Sequence, residues 1–272
     1  MLTITGMQDQ ETAVAARRLL KLLDPAPADA GLSCGYLDLI GGRQRRPTGL
    51  AESLMRTPVV PAIYERWWRP VIARLVMGPG GPDMAAEYAL AREWLAVSPG
   101  DTVLDLACGP GNFTRDLACA AGHNGLVVGV DPSAAMLGRA VRDTTAGHRD
   151  RAPIAYVRAD AARVPLRRRS FDAVACFAGL HLMREPFGVI DWMTGVLRPG
   201  GRIALMTSCL RGGHLPGALT TAVRLAVRGS GIELFRPDEI TGALDERGYT
   251  GIQQRIAGVT QFVGGRLPSA AA

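Results

Sequence analysis

Val103-Leu104-Asp105-Leu106-Ala107-Cys108-Gly109-Pro110-Gly111-Asn112-Phe113-Thr114-Arg115-Asp116-Leu117-Ala118 decides the fold of this chain. Its first four residues read as a buried strand. The side chains then shrink to Ala, Cys, Gly, Pro and Gly. From Asn112 the apolar spacing becomes helical, with Phe113, Leu117 and Ala118 on one face. A strand that ends in tiny residues before a helix lets another backbone or a ligand come close.

Outward from this stretch the chain alternates. Residues 126–131, LVVGVD, read as a strand, followed by a helix over 132–143 whose Pro132 suits a first turn. Further strands are expected at 154–160, 171–180 and 202–208, with a helix over 187–197. Alternating strands and helices imply a parallel sheet covered on both faces, and the unbroken Val/Ile/Leu/Ala character of the strands fits burial on two sides. At the carboxyl end a helix closed by Gly248 precedes YTGIQQRIA and GVTQFVGGR, two strands joined only by a short turn at Gly258. Strands so close in sequence pair only as an antiparallel hairpin. The expected fold class is therefore α/β: a Rossmann-like, seven-stranded, mostly parallel sheet with a C-terminal antiparallel hairpin and helices on both faces. Upstream, helices are expected at 11–23, 62–77 and 83–97, and 24–61 reads as irregular. The expected division is a cap segment over 1–82 and a core over 83–272, with a lid-like insert around 210–235.

The chain has 272 residues, 47% of them hydrophobic, enough for one large domain. No run of 18 apolar residues occurs, so no membrane span is expected. The opening MLTITGMQDQE lacks the basic-then-apolar order of a secretory signal, and a cytoplasmic setting is expected. The formal charge of +6 comes almost wholly from arginine, since Lys21 is the sole lysine. The arginines are scattered apart from Arg43/Arg45/Arg46 and Arg167-Arg168-Arg169, so a nucleic-acid partner is not expected. The five cysteines are widely spaced with no C-x-x-C, which argues for reduced thiols and no metal site.

Three ligand classes compete for the small-residue corner. A phosphate-binding loop needs GK[ST], which does not follow Gly111. A dinucleotide fingerprint needs G-x-G-x-x-G; Gly109 and Gly111 fit, but Thr114 stands third, where Gly or Ala is wanted. The third class is a sulfonium nucleoside. VLDLACGPG, VVGVDPSAAML, VRADAARVPL, FDAVACFAGLH and LRPGGRIAL, in this order between about residues 83 and 265, resemble the class I S-adenosylmethionine-dependent methyltransferases.

The resemblance implies S-adenosylmethionine as cofactor. It places Asp105 as anchor of the loop or of the ligand ammonium, and Ala107, Cys108, Gly109 and Gly111 along the methionyl part. Asp131 would take the ribose hydroxyls, with Pro132 and Met136 beside it. Asp160 and Ala161 would read the adenine, and the carbonyl of Phe177 would lie near the ammonium. His181 is the one histidine at an expected strand end, and so the candidate general base. Tyr64, Trp67 and Trp68 are candidate walls of the acceptor pocket. The core is also similar to quinone-biosynthesis C-methyltransferases, which favours a small apolar or aromatic acceptor methylated at carbon or oxygen. CGYLDLIGG, PTG and LMRTPVVPAIYERWWRP resemble a subgroup with an N-terminal zinc ribbon, some of whose members modify ribosomal RNA guanine; only Cys34 of the ribbon cysteines remains here. RNA methylation, and a cyclase-like or purely cofactor-binding role, are the alternatives.

Overall fold

The computed structural model describes residues 7–25, 34–41, 84–146, 151–210 and 231–269. Among them the elements are α1 (Met7–Leu22), β1 (Leu37–Asp38), α2 (Met84–Leu95), β2 (Thr102–Leu106), α3 (Asn112–Ala121), β3 (Leu126–Asp131), α4 (Ala134–Thr145), β4 (Ile154–Arg158), β5 (Phe171–Phe177), α5 (Pro186–Val196), β6 (Leu197–Ser208), α6 (Pro237–Glu246), β7 (Thr250–Ala257) and β8 (Thr260–Arg266). The expected helix over 62–77 and most of the 210–235 insert lie outside the described residues.

The strands form one sheet in the order β1-β4-β3-β2-β5-β6-β8-β7. β1 to β6 run parallel, and β8 pairs antiparallel with both β6 and β7. The expected mostly parallel sheet with a terminal hairpin is thus observed, with eight strands rather than seven. The additional strand is the two-residue β1, inside the segment that reads as irregular. Two residues carry no periodicity from which a strand can be read.

The chain leaves β2 toward β3 and β4, then returns to lay β5 on β2's other side. The strand order therefore reverses between β2 and β5, the position where open α/β sheets bind ligands at the strand carboxyl ends.

Two buried clusters flank the sheet. One joins Ala91 and Leu95 of α2, Phe113 and Leu117 of α3, and Leu137 and Ala140 of α4 to Val103, Val127, Tyr156 and Ala175. The other joins Ala15 and Leu19 of α1, Ile190 and Met193 of α5, and Ile240 and Leu244 of α6 to Leu104, Val128, Val157 and Val174. α1 has a specific task on this second face. The crossover from β4 to β5 carries only the single 3-10 turn Ala161–Arg163, so it supplies no long helix of its own to cover the strands. α1 takes that place, held at its end by the Leu23–Leu166 bridge, by Asp24 N–H on the Pro165 carbonyl (2.7 Å) and by Arg167 N–H on the Leu22 carbonyl (2.7 Å).

Candidate active site

The corner after β2 is built from backbone. Ala107 (φ 59°), Gly109 (φ 53°) and Gly111 (φ 76°) are all left-handed, and so is Ala178 (φ 57°) just beyond β5. A left-handed conformation costs a residue with a Cβ roughly 1–2 kcal/mol, so two alanines held in it next to the strand-order switch mark a constrained site. The glycines have different reasons. A Cβ at Gly111 would run into the Tyr156 hydroxyl, and one at Gly179 into the Ala107 Cβ. A Cβ at Gly109 would meet nothing within 4 Å. Gly111 and Gly179 close the packing beneath the corner, whereas Gly109 borders open space.

A carboxylate borders that space. Asp131, 8% exposed at the end of β3, accepts the Gly109 N–H at Oδ2 (3.0 Å) and the Ser133 N–H at Oδ1 (2.8 Å). The two bonds engage both carboxylate oxygens and fix the orientation of a group that has about four acceptor sites. On the neighbouring strand Asp160 follows β4; its carbonyl accepts the Arg163 N–H (3.0 Å), and its half-exposed carboxylate lies 3.9 Å from Arg163 Nε. Ala161 opens the 3-10 turn after it.

Asp105 lies lower, fully buried in β2. It accepts the Thr114 hydroxyl at 2.6 Å and so ties β2 to α3. Burial, and then the charge of Asp131, push its pKa up to about 7. Thr114, the residue that spoils the dinucleotide fingerprint, is thus the partner of a buried carboxyl group. An Asp on a strand with a Thr nine residues on, in the first turn of the next helix, is the signal that would have found it. Pro132 is displaced from its expected place: Ser133 is the N-cap of α4, its hydroxyl accepting the Met136 N–H (3.3 Å), so Pro132 stands before the cap rather than in the first turn. Ser133 is itself a good cap residue and takes the position. Met136 is buried in that turn.

On the β5 side, Phe177 is buried within an aromatic series. Its ring centroid lies 4.7 Å from Phe113 and 6.3 Å from Phe262, and Phe113 lies 4.8 Å from Tyr88. His181 sits half-buried in the one-turn helix Leu180–Leu182, with Nδ1 3.5 Å from the Thr207 hydroxyl at the end of β6. Burial lowers its pKa to about 4, so the imidazole is neutral near pH 7. Cys108 and Cys176 line the corner as buried thiols whose pKa burial raises; they are not nucleophiles at neutral pH. Tyr64, Trp67 and Trp68 lie outside the described residues. Among the described residues no group of His, Cys, Asp and Glu could hold a metal ion.

The fit to a sulfonium nucleoside rests on Gly109. Its open, Cβ-free face lies beside Asp131, with Asp160 one strand further on. Residues 103–201 match the methyltransferase domain family. Over this stretch the chain is similar to class I methyltransferase domains. Its fold is similar to that of solved structures: phosphoethanolamine N-methyltransferase 2 of Haemonchus contortus, in complex with phosphomonomethylethanolamine and S-adenosylhomocysteine, superposes with a TM-score of 0.60 at 16% identity, over 79% of this chain and 60% of that one. In sequence, an uncharacterized chloroplastic methyltransferase of Arabidopsis thaliana is 34% identical over 161 residues, 58% of this chain and 44% of the relative. The 2-phytyl-1,4-naphtoquinone methyltransferase of Synechococcus elongatus is 36% identical over 122 residues, 43% of this chain and 50% of the relative. The chain spans about half the length of the curated relatives it matches. The cofactor of this domain class is S-adenosylmethionine. Among the described residues no helix is long and apolar enough to cross a membrane.

Proposed function

We propose that this protein transfers the methyl group of S-adenosylmethionine to a small apolar or aromatic acceptor, at carbon or oxygen. The observation that carries the reading is the Gly109 corner: open backbone at the strand-order switch, with Asp131 fixed beside it by two backbone N–H groups. Asp131 holds the ribose, Asp160 and the Ala161 N–H the adenine, and the backbone from Ala107 to Gly111 with the Phe177 carbonyl the methionyl part. Asp105 acts from below by keeping α3 docked on β2. When bound, the cofactor supplies an electrophilic methyl. The protein's share is alignment, which can supply ~7–11 kcal/mol of a barrier, and exclusion of water.

His181 receives the acceptor's proton where there is one to lose. Its neutral imidazole is ready for this, and the Thr207 hydroxyl orients the ring through Nδ1. The apolar acceptor is supported by the Tyr88–Phe113–Phe177–Phe262 series beside the corner, by the aromatic Tyr64, Trp67 and Trp68 just upstream in sequence, and by similarity to a relative named for a naphthoquinone substrate. The arginines speak against RNA, because many are held in the fold. Arg151 bonds Glu11, Arg198 bonds Asp172, Arg247 bonds Asp191, and Arg18 spans the carbonyls of Asn124 and Gly125.

Incubation of the protein and methyl-labelled cofactor with fractionated cell extract tests the reading. We expect label in material extractable into organic solvent. Label in RNA overturns the choice of acceptor, and no transfer to any fraction overturns the reaction.

A further inference from the structure

The segment Cys34–Gly41 reaches the sheet edge next to the nucleoside side of the site. Asp38 pairs in register with Arg158 of β4, and Arg158 in turn pairs with Asp131 of β3. The side chains repeat the order. Asp38 Oδ1 accepts the Ile40 and Gly41 N–H groups (both 2.9 Å), and Oδ2 accepts Arg158 Nη1 (2.8 Å). The same guanidinium donates through Nε to the carbonyl of Pro132 (3.2 Å), the residue between Asp131 and the cap of α4. Arg158 is 7% exposed. Burial works to raise the Asp38 pKa, but the Gly41 N–H and Arg158 hold it below the usual carboxylate range.

A second contact presses on the same unit. A Cβ on Gly35 would lie 2.6 Å from Val141 Cγ1, so the chain passes flush against α4. Tyr36 is buried in the cluster that holds Leu137 and Ala140 of that helix. Residues 35–38 thus touch the 131–133 loop through Arg158 and the helix after it through Gly35 and Tyr36.

We propose that residues 34–41 clamp the nucleoside-binding loop, and that Asp38 and Arg158 are positioning residues for the cofactor, acting through the Pro132 carbonyl on Asp131. This rests on the cofactor site proposed above. Without the relay, the buried Arg158 loses its counter-charge and turns away from Pro132, and the loop loses its fixed register. A cofactor then has to order that loop as it binds.

The test is calorimetric titration of the full chain with S-adenosylhomocysteine, alongside thermal unfolding. Asp38→Asn is expected to weaken binding about tenfold or more, the scale on which misplaced site groups act. Arg158→Lys keeps the charge beside Asp38 but lacks the fork that reaches two acceptors at once; it is expected to bind the nucleoside as weakly as Asp38→Asn. Glu11→Gln breaks the ion pair between α1 and Arg151 and leaves Asp38, Arg158 and Pro132 in place; it is expected to lower the unfolding temperature without changing affinity. In turnover, KM for the cofactor rises in Asp38→Asn and Arg158→Lys while kcat at saturation holds. If both variants unfold earlier yet bind like wild type, the clamp is structural only and the proposal fails. If wild type itself shows no heat with S-adenosylhomocysteine, the cofactor site fails, and this proposal falls with it.

Discussion

The two ends of the parallel sheet differ in how they treat their charges. At the amino ends of β2, β3 and β5, turns and ion pairs are mutually satisfied at the surface. Asp172 accepts the Thr102 N–H (2.8 Å) and Arg198 (2.6 Å), Asp101 accepts the Ser98 N–H (2.8 Å), and Gly100 N–H bonds the Ala121 carbonyl (2.8 Å). At the carboxyl ends, Asp105 is buried with one hydroxyl partner and a pKa near 7, His181 is kept neutral, and Gly109 faces empty space. Left-handed backbone alone does not separate them, since Arg169 before β5 has φ 54° and Gly122 after α3 has φ 59°. Open space alone does not separate them either, since a Cβ at Gly100 before β2 would also meet nothing within 4 Å; the distinction is that the open backbone at the carboxyl end lies against an oriented carboxylate, Asp131. Proteins accept locally unfavourable groups where a ligand gives them a use.

Equal substitutions at the two ends should therefore have unequal effects. Gly109→Val places a left-handed Cβ in the open corner, and Gly122→Val places one against Pro99, 3.7 Å away. Both are expected to lose on the order of 1–3 kcal/mol of stability, read by denaturant unfolding. Only Gly109→Val should lose S-adenosylhomocysteine, by more than about a hundredfold, or ~3 kcal/mol. A matching loss in Gly122→Val would erase the distinction between the ends.

His181→Gln keeps a polar side chain beside Thr207 but cannot accept a proton as a base. A drop in kcat of about a hundredfold is expected, with cofactor affinity unchanged. With its pKa near 4, His181 stays neutral throughout, so wild-type kcat should show no His titration between pH 8 and 5.5. A fall centred near pH 6.5 would contradict its burial.

Asp105 gives the smallest effect. Its pKa is about 7 when folded and about 3.9 unfolded. The folded state thus holds a proton that the unfolded state has lost, and the associated stability is complete below about pH 4 and gone once pH rises past 7. His181, depressed in the fold, acts in the opposite sense between pH 6.5 and 4, which leaves 6.5–8 as the clean window. There the unliganded protein should lose about 1 kcal/mol through Asp105 as pH rises. Asp105→Asn should flatten that slope, measured by urea unfolding at each pH.

The sequence carries the order β2 to β8 because β2 to β5 and residues 203–206 of β6 are largely apolar runs, the helices between them keep their period, and a short turn at Gly258 joins β7 to β8. Asp131, Asp160 and Gly109 are legible for a related reason, since they stand where a strand pattern stops. β1 escapes notice because two residues show no pattern. The covering role of α1 escapes because it fills a gap left by a short crossover some 140 residues away, a matter of three-dimensional packing. Thr114 is misread when judged by a glycine rule, as it serves a buried carboxyl group that only the fold brings near. The Asp38–Arg158–Pro132 relay likewise joins three segments that no local signal connects.

The central claim is that the Gly109 corner receives the nucleoside of S-adenosylmethionine. A crystal structure of the protein with S-adenosylhomocysteine tests it most directly. The account predicts the ribose hydroxyls on Asp131, the adenine beside Asp160, and the homocysteine backbone passing over Gly109. Density for the ligand anywhere else, with Gly109 and Asp131 untouched, would contradict it.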